Sequence, residues 1–223
     1  MPHTWDPDSL SPAAALRRLA EGNQRFCESR PEHASRSFSP ALAGRPQRPF
    51  AIVLGCSDSR TPVEVLFDQG FGDLFVVRIA GNVVAPSVVG SIEFAASQFG
   101  TRLVLVLGHT RCGAIAATVS AIQTGNGPES RNIRSITDRI SPHIEATVRG
   151  ATGRTDEDFL RNLMRDNVRA SADHLRHGSR LLEDLVLAGR LAVMTADYEL
   201  ETGRVQFFGD GPADVPANQG ANE

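Results

Sequence analysis

The sequence predicts an α/β fold: a mainly parallel central sheet of four strands plus a short C-terminal edge strand, flanked by helices and preceded by an N-terminal helical arm. Three observations predict it. Four apolar runs, at 50–54, 74–79, 103–107 and 191–195, are rich in Val, Ile and Leu and do not alternate with polar residues, as in strands covered on both faces. Helical patterns separate them, and strands alternating with helices build a parallel sheet. Two of the runs give way to turns that carry chemistry, at Cys56 and at His109. In open parallel sheets that edge is where ligands bind.

Taken in order, residues 9–29 form a helix. Ser11 fits its N-cap and Pro12 its first position, while Leu16, Leu19, Ala20 and Phe26 recur at helical spacing. Residues 30–48 are polar, interrupted by Pro31, Pro40 and Pro46, and read as an extended linker. Residues 1–48 are therefore an arm and linker, with the arm either reaching another subunit or folded on its own. A single α/β domain is expected over 49–208. After its first two strands come a helix at 86–99, closed by Gly100, the strand 103–107, and a helix from about 112 that ends before Gly125. The segment 156–188 carries Leu160, Leu163, Val168, Leu175, Leu182 and Leu185 on one side, with arginines on the solvated side. The strand 191–195, the turn Glu201-Thr202-Gly203 and the short strand 205–208 complete the domain. Residues 209–223, rich in Gly, Pro, Asn and Asp, read as a flexible tail.

The composition narrows the function classes. With 223 residues, 41% hydrophobic and 22% charged, the chain can build one large core plus an arm. A net charge of −3 lacks the basic footprint that nucleic acid or an anionic membrane would need. Every basic side chain of the Lys/Arg class is Arg, a compositional bias rather than a phosphate-binding surface. No apolar run approaches the roughly 20 residues of a membrane span. The opening Met1-Pro2-His3-Thr4-Trp5-Asp6 lacks the pattern of a signal peptide, so a cytoplasmic location is expected. Three cysteines without a secretion signal argue against a disulfide framework. Cys27 lies in the first helical pattern as a packing residue or surface thiol. Cys56 and Cys112 are candidates for chemistry.

Cys56, His109 and Cys112 supply two thiolates and one imidazole, a set soft enough to favour zinc over magnesium or calcium. Three protein ligands leave a fourth tetrahedral position open, as in catalytic zinc sites. His109-x-x-Cys112 lets both side chains face one side if the turn rolls into a helix, with Cys112 near the helix N-terminus, where the dipole favours a thiolate. Two thiolates neutralise the dication, so activation of water toward a pKa of about 7 needs help from neighbours. Asp58 is close enough to reach the metal or its water. As a fourth ligand it would close the site. Arg60, two residues on, offers a guanidinium fork that can hold the carboxylate away, leaving Asp58 to accept the hydrogen of a zinc hydroxide. Cys-x-Asp-x-Arg thus reads as ligand, gate and latch. His174 and His177, with no third ligand in view, read as surface residues.

These residues resemble the β-class carbonic anhydrases. The resemblance rests on Cys56-Ser57-Asp58-Ser59-Arg60, Arg78-Ile79-Ala80-Gly81-Asn82, Ser91-Ile92-Glu93-Phe94-Ala95 and Gly108-His109-Thr110-Arg111-Cys112-Gly113. It implies reversible hydration of CO2 to bicarbonate and a proton, with Cys56, His109 and Cys112 as zinc ligands and Asp58 and Arg60 as the catalytic dyad. It also implies a homodimer or dimer of dimers whose active site lies at the interface, with the arm over the partner. Gln47, Phe75, Ala80, Phe94 and Gly113 fall on substrate-pocket positions. Ala80 stands where valine is frequent and Phe94 where tyrosine is frequent, which bears on inhibitor preference. Some members shut down when bicarbonate occupies a Trp, Arg and Tyr pocket. Arg78 and Tyr198 match two of these, but the tryptophan position holds Val53, so no such closure is expected. Relatives on this fold that hydrolyse carbonyl sulfide or carbon disulfide are an alternative. So is a non-catalytic zinc-binding partner subunit, against which intact Asp58 and Arg60 count.

Overall fold

The computed structural model describes residues 10–32, 43–44, 46–151 and 153–209, so most of the linker and all but the first residue of the tail lie outside the described residues. Its sheet has five strands in the order β2-β1-β3-β4-β5. β1 (Ala51–Gly55), β2 (Leu74–Arg78), β3 (Leu103–His109) and β4 (Ala192–Tyr198) run parallel, and β5 (Val205–Phe208) pairs antiparallel with β4. The expected architecture is the one observed. β3 and β4 run past their apolar stretches because the ladder continues through polar residues, with Gly108 opposite Asp197 and His109 opposite Tyr198.

Alternate residues feed two cores. Ile52, Leu54, Val104, Val106 and Val193 face one layer, which α3 (Pro86–Gln98), α4 (Gly113–Thr124), α5 (Arg131–Gly150), α6 (Glu157–His177) and α7 (Arg180–Leu187) cover. Ala51, Val53, Leu103, Leu105 and Met194 face the other, which α1 (Pro12–Cys27) and the one-turn α2 (Val63–Leu66) cover. Burial on both faces is what the unbroken apolar runs require. Among the described residues no helix is long and apolar enough to cross a membrane.

α1 packs against the sheet of its own chain. Ala15, Leu16 and Leu19 are fully buried against the sheet. Arg18 lies over the Phe50 ring, 4.1 Å from its centroid. Asn23 donates to the carbonyls of Leu66 (3.1 Å) and Gly203 (2.9 Å) and accepts from the Val205 N–H (2.8 Å). The close approach depends on Gly22, where an added Cβ would lie 1.9 Å from the Phe67 carbonyl oxygen. Gly22→Ala must therefore push α1 away from the end of α2. An overpacking penalty of about 1–3 kcal/mol corresponds to a melting temperature lower by roughly 2–12 °C for a chain of this size. An unchanged melting temperature would contradict this docking.

Two features depart from the expected element order. α5 lies in an arginine-rich stretch with Pro142 inside it, yet Thr137, Ile140, Ile144 and Val148 are buried at helical spacing. The segment 156–188 is two helices. Gly178 ends α6, and Ser179 caps α7 by accepting from the Leu182 N–H at 3.2 Å.

Candidate metal centre

β1 and β3 are neighbours, with Gly55 in register with Leu107, so the residues just past their C-terminal ends meet. Cys56 follows β1, His109 ends β3, and Cys112 caps α4. Their ligand atoms all lie within 4.8 Å of one another, and all three residues are buried. A tetrahedral zinc with ordinary bond lengths places such atoms roughly 3.4–3.8 Å apart, inside that limit. Cys27, on α1 at the other face of the sheet, takes no part.

The donor set fits a metal on a second observation. His109 Nδ1 is 2.8 Å from the Thr110 carbonyl oxygen, so Nδ1 carries the proton and Nε2 offers its lone pair. Nε2 is fully buried and has no hydrogen-bond partner; the only other such side-chain atom among the described residues is Asn82 Nδ2. A buried acceptor without a donor is disfavoured, and beside two thiols it matches a cation site.

The sulfurs hold their protons unequally. Cys56 is pushed well below the ordinary thiol range, chiefly because Cys112 donates to it, with the Gly81 N–H adding to the effect against the opposing cost of burial. Cys112 is pushed up by that same bond and by burial, which outweigh the N–H groups of Ile115 and Ala114 at the start of α4. In the pair without metal the two sulfurs share a proton, and a dication is what releases it.

The Cys56 turn is shaped by groups that spacing alone does not reveal. The Gly81 N–H donates to Cys56 Sγ at 3.3 Å. Gly81 sits at φ 66°, and a Cβ there would come within 2.9 Å of Ala114 Cβ and Ile140 Cδ1, so glycine is required on both counts. α6 secures this turn: Asn167 donates to the Gly81 carbonyl (2.9 Å) and Ser171 to that of Asn82 (3.1 Å). Arg78 braces the loop from β2, donating to the carbonyls of Cys56 (2.9 Å) and Asp58 (2.6 Å), and Thr61 donates to the Asp58 carbonyl at 2.8 Å.

Asp58 and Arg60 form a fork. Arg60 Nε and Nη2 donate to Oδ1 and Oδ2 at 2.9 and 2.8 Å, and the Arg60 backbone N–H adds a third bond at 2.9 Å. These contacts, with the Arg60 guanidinium first, hold the Asp58 carboxyl well below the usual range. Asp58 Oδ2 stands 4.0 Å from His109 Nε2, beside the ligands but bound to arginine.

The structure thus brings together Cys56, His109, Cys112, Asp58 and Arg60. Ala80 adjoins the Gly81 turn, and Gly113 is the exposed first residue of α4. Gln47, Phe75 and Phe94 belong to other surroundings. Gln47 is exposed ahead of β1. Phe75 and Phe94 meet through Phe99, at centroid distances of 6.1 and 5.5 Å, with Phe94 52% exposed. Among the described residues no hydrogen bond or ring contact links these three to the ligand set.

A doubly covered parallel sheet with a Cys-His-Cys cluster at adjacent strand ends defines an α/β protein built to hold one metal ion. The sequence profile described as carbonic anhydrase matches residues 51–205. Carbonic anhydrase 2 of Mycobacterium tuberculosis is 38% identical over 197 residues, covering 88% of this chain and 92% of that protein. A carbonic anhydrase of Mycolicibacterium smegmatis is 39% identical over 198 residues, covering 88% and 93%. Among solved structures, a tetrameric β-carbonic anhydrase of Sordaria macrospora superposes with a TM-score of 0.70 at 23% identity, covering 89% of this chain and 98% of that one. The β-carbonic anhydrase CafA of Aspergillus fumigatus gives 0.66 at 25% identity, covering 89% and 91%. The chain belongs to the carbonic anhydrase family, in its β class, and is a carbonic anhydrase enzyme.

Proposed function

We propose that the chain catalyses reversible hydration of CO2 to bicarbonate and a proton at a zinc ion held by Cys56, His109 and Cys112. The observation that carries this reading is the convergence of the three ligand atoms around an unpartnered His109 Nε2, with Asp58 held beside them by Arg60. When bound, zinc supplies a Lewis-acidic position at which the pKa of water falls toward about 7. The chain's residues do the rest. Asp58, ionised and therefore acceptor-only, receives a hydrogen bond from the water nucleophile and orients its lone pair toward CO2. Arg60 holds Asp58 in that role and out of the ligand set. Released from Arg60, Asp58 would be the fourth ligand of a closed state.

The substrate pocket, on this reading, includes Gln47, Phe75, Ala80, Phe94 and Gly113. The exposure of Phe94 and the open edge of β2 suit a homodimer or dimer of dimers, in keeping with the tetrameric relative from Sordaria macrospora. The direct test is stopped-flow CO2 hydration by zinc-loaded protein, with carbonyl sulfide and carbon disulfide run alongside. Hydration no faster than buffer would overturn the proposal.

Bicarbonate is expected not to shut the enzyme down. Val53 is fully buried in β1 and has no polar group for an anion, and the Arg78 guanidinium is engaged by two loop carbonyls. Rate against added bicarbonate should follow simple product inhibition. A sigmoidal fall would contradict this.

A further inference from the structure

We propose that Glu199 is a positioning residue for the metal centre, acting through Thr110 on the ring of His109. The inference rests on the zinc reading above and goes beyond its ligands and dyad. His109 Nδ1 bonds the carbonyl of the very next residue, at 2.8 Å, so the ring can be no better fixed than the Thr110 peptide. Thr110 is buried and pinned at three atoms-to-atom contacts with the end of β4. Its N–H donates to the Tyr198 carbonyl at 3.0 Å, its hydroxyl donates to Glu199 Oε1 at 2.9 Å, and that hydroxyl accepts from the Leu200 N–H at 3.1 Å.

Glu199 is itself held from α6. Its other oxygen accepts from Arg161 Nη1 at 3.0 Å. Arg161 also grips the fully buried Asp197 through Nη2 at 2.9 Å and Nε at 3.2 Å, and Arg165 binds the same carboxylate. One carboxylate thus divides its oxygens, one to the ligand-bearing turn and one to a fixed guanidinium. The turn is also strained, because Arg111, between Thr110 and Cys112, adopts φ 56°, a left-handed conformation that residues other than glycine adopt at a cost. Groups that orient a ligating histidine from behind typically change metal affinity 10–100-fold when removed.

The test is zinc affinity by chelator competition, with the visible spectrum of the cobalt-substituted protein as a second readout. Glu199→Ala and Thr110→Val should each weaken zinc binding by about 10–100-fold and shift the cobalt bands. Thr110→Ser, which keeps the hydroxyl, should stay near wild type. Because both residues act on one ring, the double variant Glu199→Ala/Thr110→Val should be little weaker than either single one. Wild-type affinity and an unchanged spectrum in Glu199→Ala, or additive losses in the double variant, would overturn the proposal. If Glu199→Ala fails to fold without metal, Thr110→Val against Thr110→Ser decides: equal affinities overturn it. Wild-type protein that binds no zinc would instead overturn the zinc reading, and the positioning role with it.

Discussion

Asp58→Ala is expected to keep its zinc and lose most of its hydration activity. The variant removes no ligand: Cys56, His109 and Cys112 converge without help from the aspartate, whose oxygens are taken by Arg60 at 2.8 and 2.9 Å. What disappears is an ionised acceptor 4.0 Å from His109 Nε2, next to the position a fourth ligand would fill. A well-placed proton acceptor is worth about 10²–10⁴ in rate, so kcat/KM should fall by that factor, equivalent to about 3–5 kcal/mol of barrier. The Arg60 contacts hold the Asp58 carboxyl well below the usual range, so its acceptor role persists throughout the neutral range, and no loss of activity from its protonation is expected there. Two measurements check this, zinc per chain and initial hydration rates. Unchanged turnover would refute the assignment of Asp58, and loss of zinc would make it a ligand.

Metal removal should have the second large effect, on stability as well as on turnover. A ligand bound only by the folded chain stabilises it by about 4.1 kcal/mol at a free concentration 1,000 times its dissociation constant. At roughly 2–4 °C per kcal/mol for a chain of this size, stripping zinc should lower the melting temperature by roughly 8–16 °C under such conditions. The pH dependence has a definite sign. In the metal-free pair the Cys112 thiol is pushed up by sharing its proton with Cys56 and by burial, so zinc must displace that proton to bind. Affinity should therefore rise with pH for as long as the thiol remains protonated. Calorimetric melts with and without chelator, repeated at two pH values, test both parts. A chelator-insensitive melt, or affinity that falls as pH rises, would contradict them.

What the sequence revealed and what it hid have physical causes. The strands around Cys56 and His109 were legible because residues buried on both faces must all be apolar, and Ala51 to Leu54 and Leu103 to Leu107 are. The Cys-His-Cys cluster was legible because two thiols and an imidazole at two strand ends are a short list of metal donors. α5 was hidden because its buried positions, Thr137, Ile140, Ile144 and Val148, are diluted by arginines, serines and Pro142. The break between α6 and α7 was hidden because the leucine spacing continues across Gly178 and Ser179. The supports of the centre were hidden for a different reason. Asn167 and Ser171 reach the Gly81 turn from 86 and 89 residues away in sequence. Nothing local marks them, because their role exists only once α6 lies across the sheet. Arg78 was visible as part of a motif, yet its work as a brace on the Cys56 and Asp58 carbonyls needed the fold. Phe75 and Phe94, proposed for the substrate pocket, lie on β2 and α3, half-buried and exposed respectively, a setting that a second copy would complete on the proposed reading.

The most direct test is metal content and its consequence in one preparation. Elemental analysis of purified protein should give one zinc per chain. Treatment with a strong chelator should abolish CO2 hydration, and added zinc should restore it, in wild type but not in His109→Ala. Protein that carries no stoichiometric transition metal, or that hydrates CO2 undiminished once stripped, would contradict the account.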